Sequence, residues 1–501
     1  MTKQKTFLVE LEVIAPDGAV STLYCSTGVV RPFPPSDPHR PNQIYDPRVL
    51  EPVNYSTEIF ADLQSQTGAI GVGVCILSNA DGALNYLRDY ALGSVSVYWG
   101  EIGAAFADYT QILSGRAEGA AFETSLTNAD RYRFGLWDAR RVLDKPLSEN
   151  KYSGTGLYDG STTGVTGQTK PYALGKVRGV AAPQVGSNLV YQLSDGPILS
   201  VDGIFDRGGD MGLTLAGDYS GTAFDSATPS ATQYATDKAR GLVKLGTSPG
   251  GTVTFDFTAS TATPSAVISG ALVRAGVPSG SVGASVSGLA STASVGVYTR
   301  GDTAGTTVET VCRSVGGAVV PDASGTWQAV LLGLPVAGSS VATFTAWDVV
   351  ELSTTTGFPA PVWRVVVQYD RNHTPMGSNE IAQALIGTDR AGWLDAEWRE
   401  AVAENTTTRD RYPSAAEIVL PTALTEKADA EALAAQLLAM HGVPRQSYEM
   451  TVELTAGNLG IRMGDTVYLD LPGKSISKHF VVTSVAPTTA GLNKITFGLW
   501  G

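Results

Sequence analysis

A mainly β, multi-domain fold with an α+β insert is what the sequence predicts, and three observations carry the prediction. Charged residues are only 17% of the 501 positions while glycine numbers 56, a balance that favours many short strands and tight turns over helical bundles. Both ends of the chain alternate with period two. Phe7, Val9, Leu11 and Val13 alternate with Leu8, Glu10 and Glu12, and Ile495, Phe497 and Leu499 alternate with Lys494, Thr496 and Gly498. The length exceeds a single core and corresponds to roughly three or four domains.

Taken in order, Pro16-Asp17-Gly18 turns the first strand into Val20-Ser21-Thr22-Leu23-Tyr24-Cys25. The stretch 31–52 has proline at 32, 34, 35, 38, 41, 47 and 52, too dense for a helix or a central strand; a surface arm and a packed irregular loop both fit. Asn79-Ala80-Asp81-Gly82-Ala83-Leu84 is a turn feeding a short helix around Leu84, Leu87 and Tyr90, followed by strand-like 95–100. The stretch 122–137 closes this N-terminal barrel domain, 1–145, and 138–143 leads out of it. A Gly-rich loop or linker, 152–167, enters a second β-rich domain, 146–260, with strands at 170–177, 189–193 and 198–205. A short helix is expected at 229–245 between Pro229 and Gly241.

The α+β insert, 261–360, has helix starts at 263–272 and 310–315 and a hairpin at 319–330 around Pro321-Asp322-Ala323-Ser324-Gly325. In 361–501 a strand places Trp363, Val365, Val367 and Tyr369 on one face. Two amphipathic helices follow, one through Leu394, Trp398, Ala401 and Val402, the other over 425–441 with Gly442 and Pro444 as stop signals. The last fifty residues read as a complete small barrel whose final strand is stitched into a sheet.

The formal charge is −13, from 48 acidic and 35 basic residues, and no Lys/Arg run exceeds two, so the footprint of nucleic-acid binding is missing. The excess is uneven: 379–431 holds eleven acidic and five basic residues, a net of −6. Cys25, Cys75 and Cys312 are too far apart for a disulfide framework or a zinc or iron–sulfur spacing and read as small buried hydrophobes. The N-terminal Met1-Thr2-Lys3-Gln4-Lys5-Thr6 runs into a strand without a signal-peptide core, and no stretch of about 18 apolar residues occurs. Synthesis and folding in a cytoplasm, without stable membrane insertion, are expected.

Candidate chemistry is sparse. Gly246-Thr247-Ser248-Pro249-Gly250 matches a nucleophile elbow, but the residue after the serine must supply an oxyanion-hole N–H and Pro249 has none; a tight turn is expected. His39, His373, His441 and His479 are isolated from one another and from cysteine. Glu397, Glu400 and Glu404 share a face of the first late helix and offer a divalent-cation site, with a solvated acidic face as the stronger alternative. Gly154-Thr155-Gly156 lacks the context of a phosphate loop. No catalytic, cofactor-binding or metal residue is expected, and no cofactor.

Several stretches, in this order, give the chain a resemblance to a known family. They are 79–84, the segment from Leu143 through Lys170-Pro171-Tyr172-Ala173-Leu174-Gly175-Lys176-Val177, 191–207, 239–250, 363–372, and Gly464-Asp465-Thr466-Val467 through Leu499-Trp500-Gly501. The sequence resembles the tail-tip or baseplate hub proteins of long-tailed, siphophage-like bacteriophages and gene transfer agents. The resemblance implies a homotrimer whose subunits each offer two tail-tube-like β-barrels, giving a pseudo-sixfold hub. Such a hub adapts the sixfold tail tube to threefold tip proteins and forms the conduit for DNA ejection, with DNA only passing through the lumen. Implied partners are the distal tail protein ring, the tape measure protein and central fibre or spike proteins, in the tail tip of a virion made in a host bacterial cytoplasm. Some relatives carry a cysteine-ligated iron–sulfur cluster or a peptidoglycan-cleaving domain; the lack of cysteine after Cys312 and of a triad argues against both here.

A structural, non-enzymatic role is therefore expected. The alternatives are a receptor-binding or tail-fibre module, which would show a repetitive shaft or coiled coil, and a carbohydrate-active enzyme on a β-scaffold, which would need two carboxylates facing an aromatic cleft.

Overall fold

A computed structural model of the chain describes residues 4–62, 64, 66–68, 72–123, 130–160, 164–289, 291–355, 360–488 and 493–501. Parts of the N-terminal lead (1–3), the closing stretch 122–137 (124–129) and the Gly-rich loop (161–163) lie outside the described residues. The chain divides into two compact, discontinuous units: unit 1 is Met1–Arg141, Ala318–Pro359 and Pro444–Gly501, and unit 2 is Val142–Gly317 and Ala360–Val443. The segment 261–360 thus contributes to both units, and 361–501 is divided after Val443.

Unit 1 is built on one thirteen-stranded sheet. Its strands are β1 (Lys5–Ile14), β2 (Val20–Ser26), β3 (Val49–Glu58), β4 (Val72–Ser78), β5 (Ala91–Glu101), β6 (Thr110–Glu123), β7 (Arg131–Asp138), β8 (Ser340–Thr345), β9 (Val349–Thr354), β10 (Ser447–Glu453), β11 (Thr466–Leu471), β12 (Ile476–Thr488) and β13 (Lys494–Trp500). The path runs β2-β1-β5-β6-β7-β4-β3-β12-β13-β10-β9, with β11 pairing β12 and β8.

The first seven strands curl into a ring. Ser26 N–H donates to Asp46 O (2.8 Å), Asp46 N–H to Tyr24 O (3.0 Å) and Ser78 N–H to Arg48 O (2.7 Å), so the segment entering β3 links the β2 and β4 edges. The period-two residues Phe7, Val9, Leu11 and Val13 of β1 all point into its core with Val95, Val97, Phe134 and Leu136. The short helix expected near Leu84 is a single 3-10 turn, Asn85–Asp89, set by the buried Asn79 side chain, whose Oδ1 accepts from Leu84 N–H (2.9 Å).

The last fifty residues do not close a barrel by themselves. β10–β13 are completed by β8 and β9, and the thirteen-residue β12 divides one edge between β11 and β3, with Val481 opposite Thr466 and Ser484 opposite Glu58. The result is a six-stranded half-barrel, open between β8 and β9, which make no ladder with each other among the described residues. Leu499 and Trp500 are buried, and Gly501 exchanges two backbone hydrogen bonds with Gln446 (2.8 and 3.0 Å). The expected hairpin at 319–330 is present as Gly317–Pro321 paired with Trp327–Leu331.

Unit 2 contains two five-stranded sheets and a three-stranded sheet. Its helices are α1 (Pro264–Ala275), α2 (Ala304–Arg313), α3 (Asp389–Asp395) and α4 (Lys427–His441), with shorter turns between. α1 starts where expected, with Thr263 as its cap. Thr303 caps α2 by accepting from Thr306 N–H (3.1 Å), so the helix begins six residues before the expected 310. The Gly-rich stretch is a closed, packed loop: Tyr152 and Tyr158 are buried against Val185, Val190 and Phe224.

Two expected helices are strands. Residues 229–245 form Gln233–Asp237 and Leu242–Leu245, paired antiparallel across a 3-10 turn. Gly241, at φ +62°, ends that turn; a Cβ there would lie 2.3 Å from Ser194 O. The helix drawn through Leu394–Val402 stops at Asp395, and Arg399–Glu404 pairs antiparallel with Val362–Tyr369. Arg399 anchors the switch, donating to the Trp393 and Ala396 carbonyls. Once 399–404 completes a ladder on a buried strand, period-two burial of Ala401 between exposed Glu400 and Val402 outweighs helical spacing.

Candidate functional site

Two exposed apolar surfaces on unit 1, one near each end of the thirteen-stranded path, form the candidate site. The first rests on the proline-rich loop, which is a packed irregular loop on its inner side. Val30, Phe33 and Tyr45 bury against Leu8 of β1 and Tyr109. The Asp37 carboxylate accepts from the backbone N–H groups of Arg40 (2.8 Å), His39 (2.9 Å) and Phe106 (3.2 Å), which hold its pKa below the usual carboxylate range. Arg40 then forks onto Glu10, Nε and Nη2 each 2.7 Å from a carboxylate oxygen, while Tyr45 Oη donates to Glu10 Oε1 (2.5 Å). Burial, and then this bond to Glu10, push the Tyr45 phenol well above its ordinary value. Sequence alternation assigned Glu10 to solvent; the loop covers it. The loop's outer side presents Val29 (77% exposed) and Ile44 (62%) together with the exposed cation Arg31, while Val20 lies at the far end of β2, opposite Ile14.

The second surface lies at the open end of the half-barrel. Residues 323–347 contain no charged side chain, yet Leu331, Leu334, Val336, Val341, Trp347 and Val350 are exposed. Trp347, 98% exposed, sits in the turn between β8 and β9. That turn is fixed: the Asp348 carboxylate accepts from Thr345 N–H (2.9 Å) and Oγ1 (2.7 Å), and Asp348 N–H returns to Thr345 O (3.1 Å). An indole held in water by an ordered turn, beside unpaired strand edges, marks an interaction surface. Sequence reasoning missed this surface, although the uncharged run was there to read.

The residues weighed for chemistry are dispersed. Ser248 is exposed in the loop between Leu242–Leu245 and Val253–Thr258, with no hydrogen bond to a histidine among the described residues. His39 lies against Phe106, His373 meets Tyr298 edge-on, His441 ends α4, and His479 on β12 bonds Ser340 Oγ (2.9 Å). Cys25, Cys75 and Cys312 are buried and none is joined in a disulfide; burial pushes the Cys25 thiol up to about 12 and that of Cys75 well above its ordinary value. Glu397, Glu400 and Glu404 share no helix face: Glu397 pairs with Arg371 (2.9 Å), Glu400 accepts from Gln368, and Glu404 lies 4.0 Å from Arg364. Among the described residues no cluster of His, Cys, Asp or Glu is placed to hold a metal ion. Gly154 belongs to a turn closed by its N–H to Asp159 O (2.9 Å).

Unit 2 has a cavity of about 100 Å³ lined by Lys176, Arg178, Tyr298, Asp370, His373 and Trp398 among others. Its cations are neutralised in place, Lys176 by Glu426 (3.1 Å) and Arg178 by Asp370 (2.9 Å). Removal from solvent, with Arg371 nearby, pushes His373 down to about 3, so the ring is neutral. The acidic stretch is likewise largely paired, as in Glu417 with Arg364 (3.4 Å) and Glu431 with Lys427 (3.5 Å).

No family model matches the chain, and no curated protein matches it. Solved structures that it resembles include phage tail proteins and part of a gene transfer agent virion. A tail protein from Neisseria meningitidis MC58 aligns over 98% of this chain and 96% of its own, at a TM-score of 0.40 and 9% identity. A chain from the virion of a native gene transfer agent particle aligns over 67% and 84%, at 0.44 and 18%. The 43 kDa tail protein of prophage MuSo2 from Shewanella oneidensis aligns over 99% and 98%, at 0.40 and 6%. At these scores the likeness carries no argument about function.

Proposed function

We propose that this chain is a non-enzymatic structural component of a phage-like tail, acting as the hub of the tail tip or baseplate. The observation that carries the reading is the pair of β-structures in unit 1, a seven-stranded ring and a six-stranded half-barrel joined in one sheet through β3 and β12. Two such bodies in one subunit accord with what the family resemblance implies, a trimeric, pseudo-sixfold hub. Exposed apolar surfaces on an otherwise acidic chain fit a protein that works by assembly. In this reading three copies join the sixfold tube to threefold tip proteins, contact the distal tail ring, the tape measure protein and central fibre or spike proteins, and let DNA pass during ejection. A lumen without basic runs suits a sliding polyanion, which a basic one would hold by counterion release.

Cryo-electron microscopy of particles from the producing cell tests the reading. Density for this chain as a threefold ring at the distal end of the tail tube is expected, and particles lacking the chain should carry no tip. Its absence from purified particles, or a position along a fibre, overturns the hub.

A further inference from the structure

We propose that the cavity of unit 2 binds a neutral, polyhydroxylated ligand, the edge of a single sugar residue, through Thr307, His373, Trp398 and Asp302. The inference does not rest on the hub reading.

Three observations carry it. First, the cavity wall holds polar groups that the chain itself leaves unused. Thr307 of α2 lines the cavity at 2% exposure, and its hydroxyl has no hydrogen-bond partner, a rare state for a buried polar atom and a sign of a missing one. The His373 imidazole, the Trp398 indole N–H and the Asp302 carboxylate line the same space and have no hydrogen-bond partner either among the described residues. Held neutral, the His373 ring offers one donor and one acceptor. Second, the charges of the wall disfavour an ion. Lys176 and Arg178 are held by Glu426 and Asp370, and Arg371 by Glu397 (2.9 Å), so an anion would have to displace one of these carboxylates and a cation would meet three positive side chains. A hydroxyl does neither, since it donates and accepts without charge. Third, the size fits. A volume of about 100 Å³ is the share of about three waters in the liquid, and two or three adjacent hydroxyls of a sugar ring reproduce the hydrogen bonds such waters make. Tyr298 and Trp398 add ring surface for the C–H face of the sugar. The site binds without cleaving. Of the two carboxylates in the wall, Asp370 already accepts from Arg178 Nη1 and Trp393 Nε1, both at 2.9 Å, and glycoside hydrolysis uses a pair.

Imidazole proton resonances of the full chain, which has four histidines, test the site, the His373 signal being assigned by its loss in His373→Phe. The probes are D-glucose, D-galactose, D-mannose, N-acetyl-D-glucosamine and L-rhamnose, with sodium phosphate and ammonium chloride added separately at matched pH and ionic strength. At least one sugar should move the His373 signal saturably, with a Kd of about 0.1–10 mM, and the two ions should not. Thr307→Val keeps the side-chain shape and removes an unpartnered hydroxyl, so its melting temperature should be equal or higher while the Kd rises about 5-fold or more. This split separates a ligand contact from a structural role. Asp302→Asn, at an exposed position, should weaken binding about 3-fold or more with an unchanged melt. The proposal is overturned if none of the five sugars moves the signal, or if phosphate or ammonium moves it instead. A Thr307→Val chain that binds like the wild type, or that melts lower, overturns it as well. None of these results bears on where the chain sits in a particle, so the hub reading stands or falls separately.

Discussion

Arg40 places two fork nitrogens on Glu10 while Tyr45 donates to the same carboxylate, so removing the guanidinium would leave a carboxylate with 9% of its side chain exposed and no counter-charge. Arg40→Ala is expected to cost about 3 kcal/mol, in the range for breaking a buried pair, and to loosen the loop that carries Val29 and Ile44. Urea melts of the single variant and of Glu10→Gln/Arg40→Ala check this: the double should recover part of the loss, and a single-variant cost near zero would show that the loop is held by apolar packing alone. His373 sets a pH dependence in unit 2. Its folded pKa, near 3, lies below its ordinary value of 6.5. The unfolded chain therefore takes up the proton first, and stability is fully present above about pH 6.5 and is lost as pH falls toward 3. His373→Phe keeps a ring against Tyr298 and should flatten the dependence of the urea midpoint over that window; an unchanged slope would place the acid sensitivity in other groups.

The last strand is the element on which unit 1 most depends. β13 lies between β10 and β12, with Ser447 opposite Trp500 and Val482 opposite Leu499. Deleting Leu499-Trp500-Gly501 removes two buried side chains, each worth about 2–5 kcal/mol, and bares an edge of β12. Insoluble or misassembled protein is expected, and a soluble truncation with a native melt would contradict it. In unit 2, Gly175 lies inside the strand Tyr172–Val180 at φ +71°, where a Cβ would fall 2.1 Å from Val295 O. Gly175→Ala should cost more than about 1 kcal/mol by thermal melt; a neutral result would show that the neighbouring 295–296 segment gives way.

At the scale of the molecule, function is expected to lie in surface and lumen. Ser248→Ala should leave assembly and infectivity intact, and esterase or peptidoglycan cleavage lost in that variant would reverse the non-enzymatic reading. The channel of the assembled hub is expected to be neutral or negative. In the proposed hub, part of the 379–431 excess is expected to face either the channel or the outer rim, and several of its carboxylates are already tied into ion pairs. A pore lined by Lys/Arg, or tight salt-sensitive binding of duplex DNA by the assembled protein, would defeat this. Replacing lumen-facing acids with lysine should slow DNA ejection without blocking tail assembly.

The sequence by itself determined the β class, the two terminal alternating strands, the start of α1, the stop of α4, and the 319–330 hairpin, because each is set by local period or by a residue acting within one turn. It also held the order of short motifs on which the family resemblance rests. Only the tertiary structure decided that 233–245 and 399–404 are strands, since a ladder with a distant strand outweighs helical spacing over so few residues. The same holds for the half-barrel, which borrows β8 and β9 from a segment about a hundred residues upstream of β10, and for Glu10, buried by a loop whose prolines fix local geometry but not its landing place. Exposure of Trp347 was equally undecidable in advance: whether an apolar residue faces core or water depends on which partners the fold brings to it, and here the fold brings none from within the described chain.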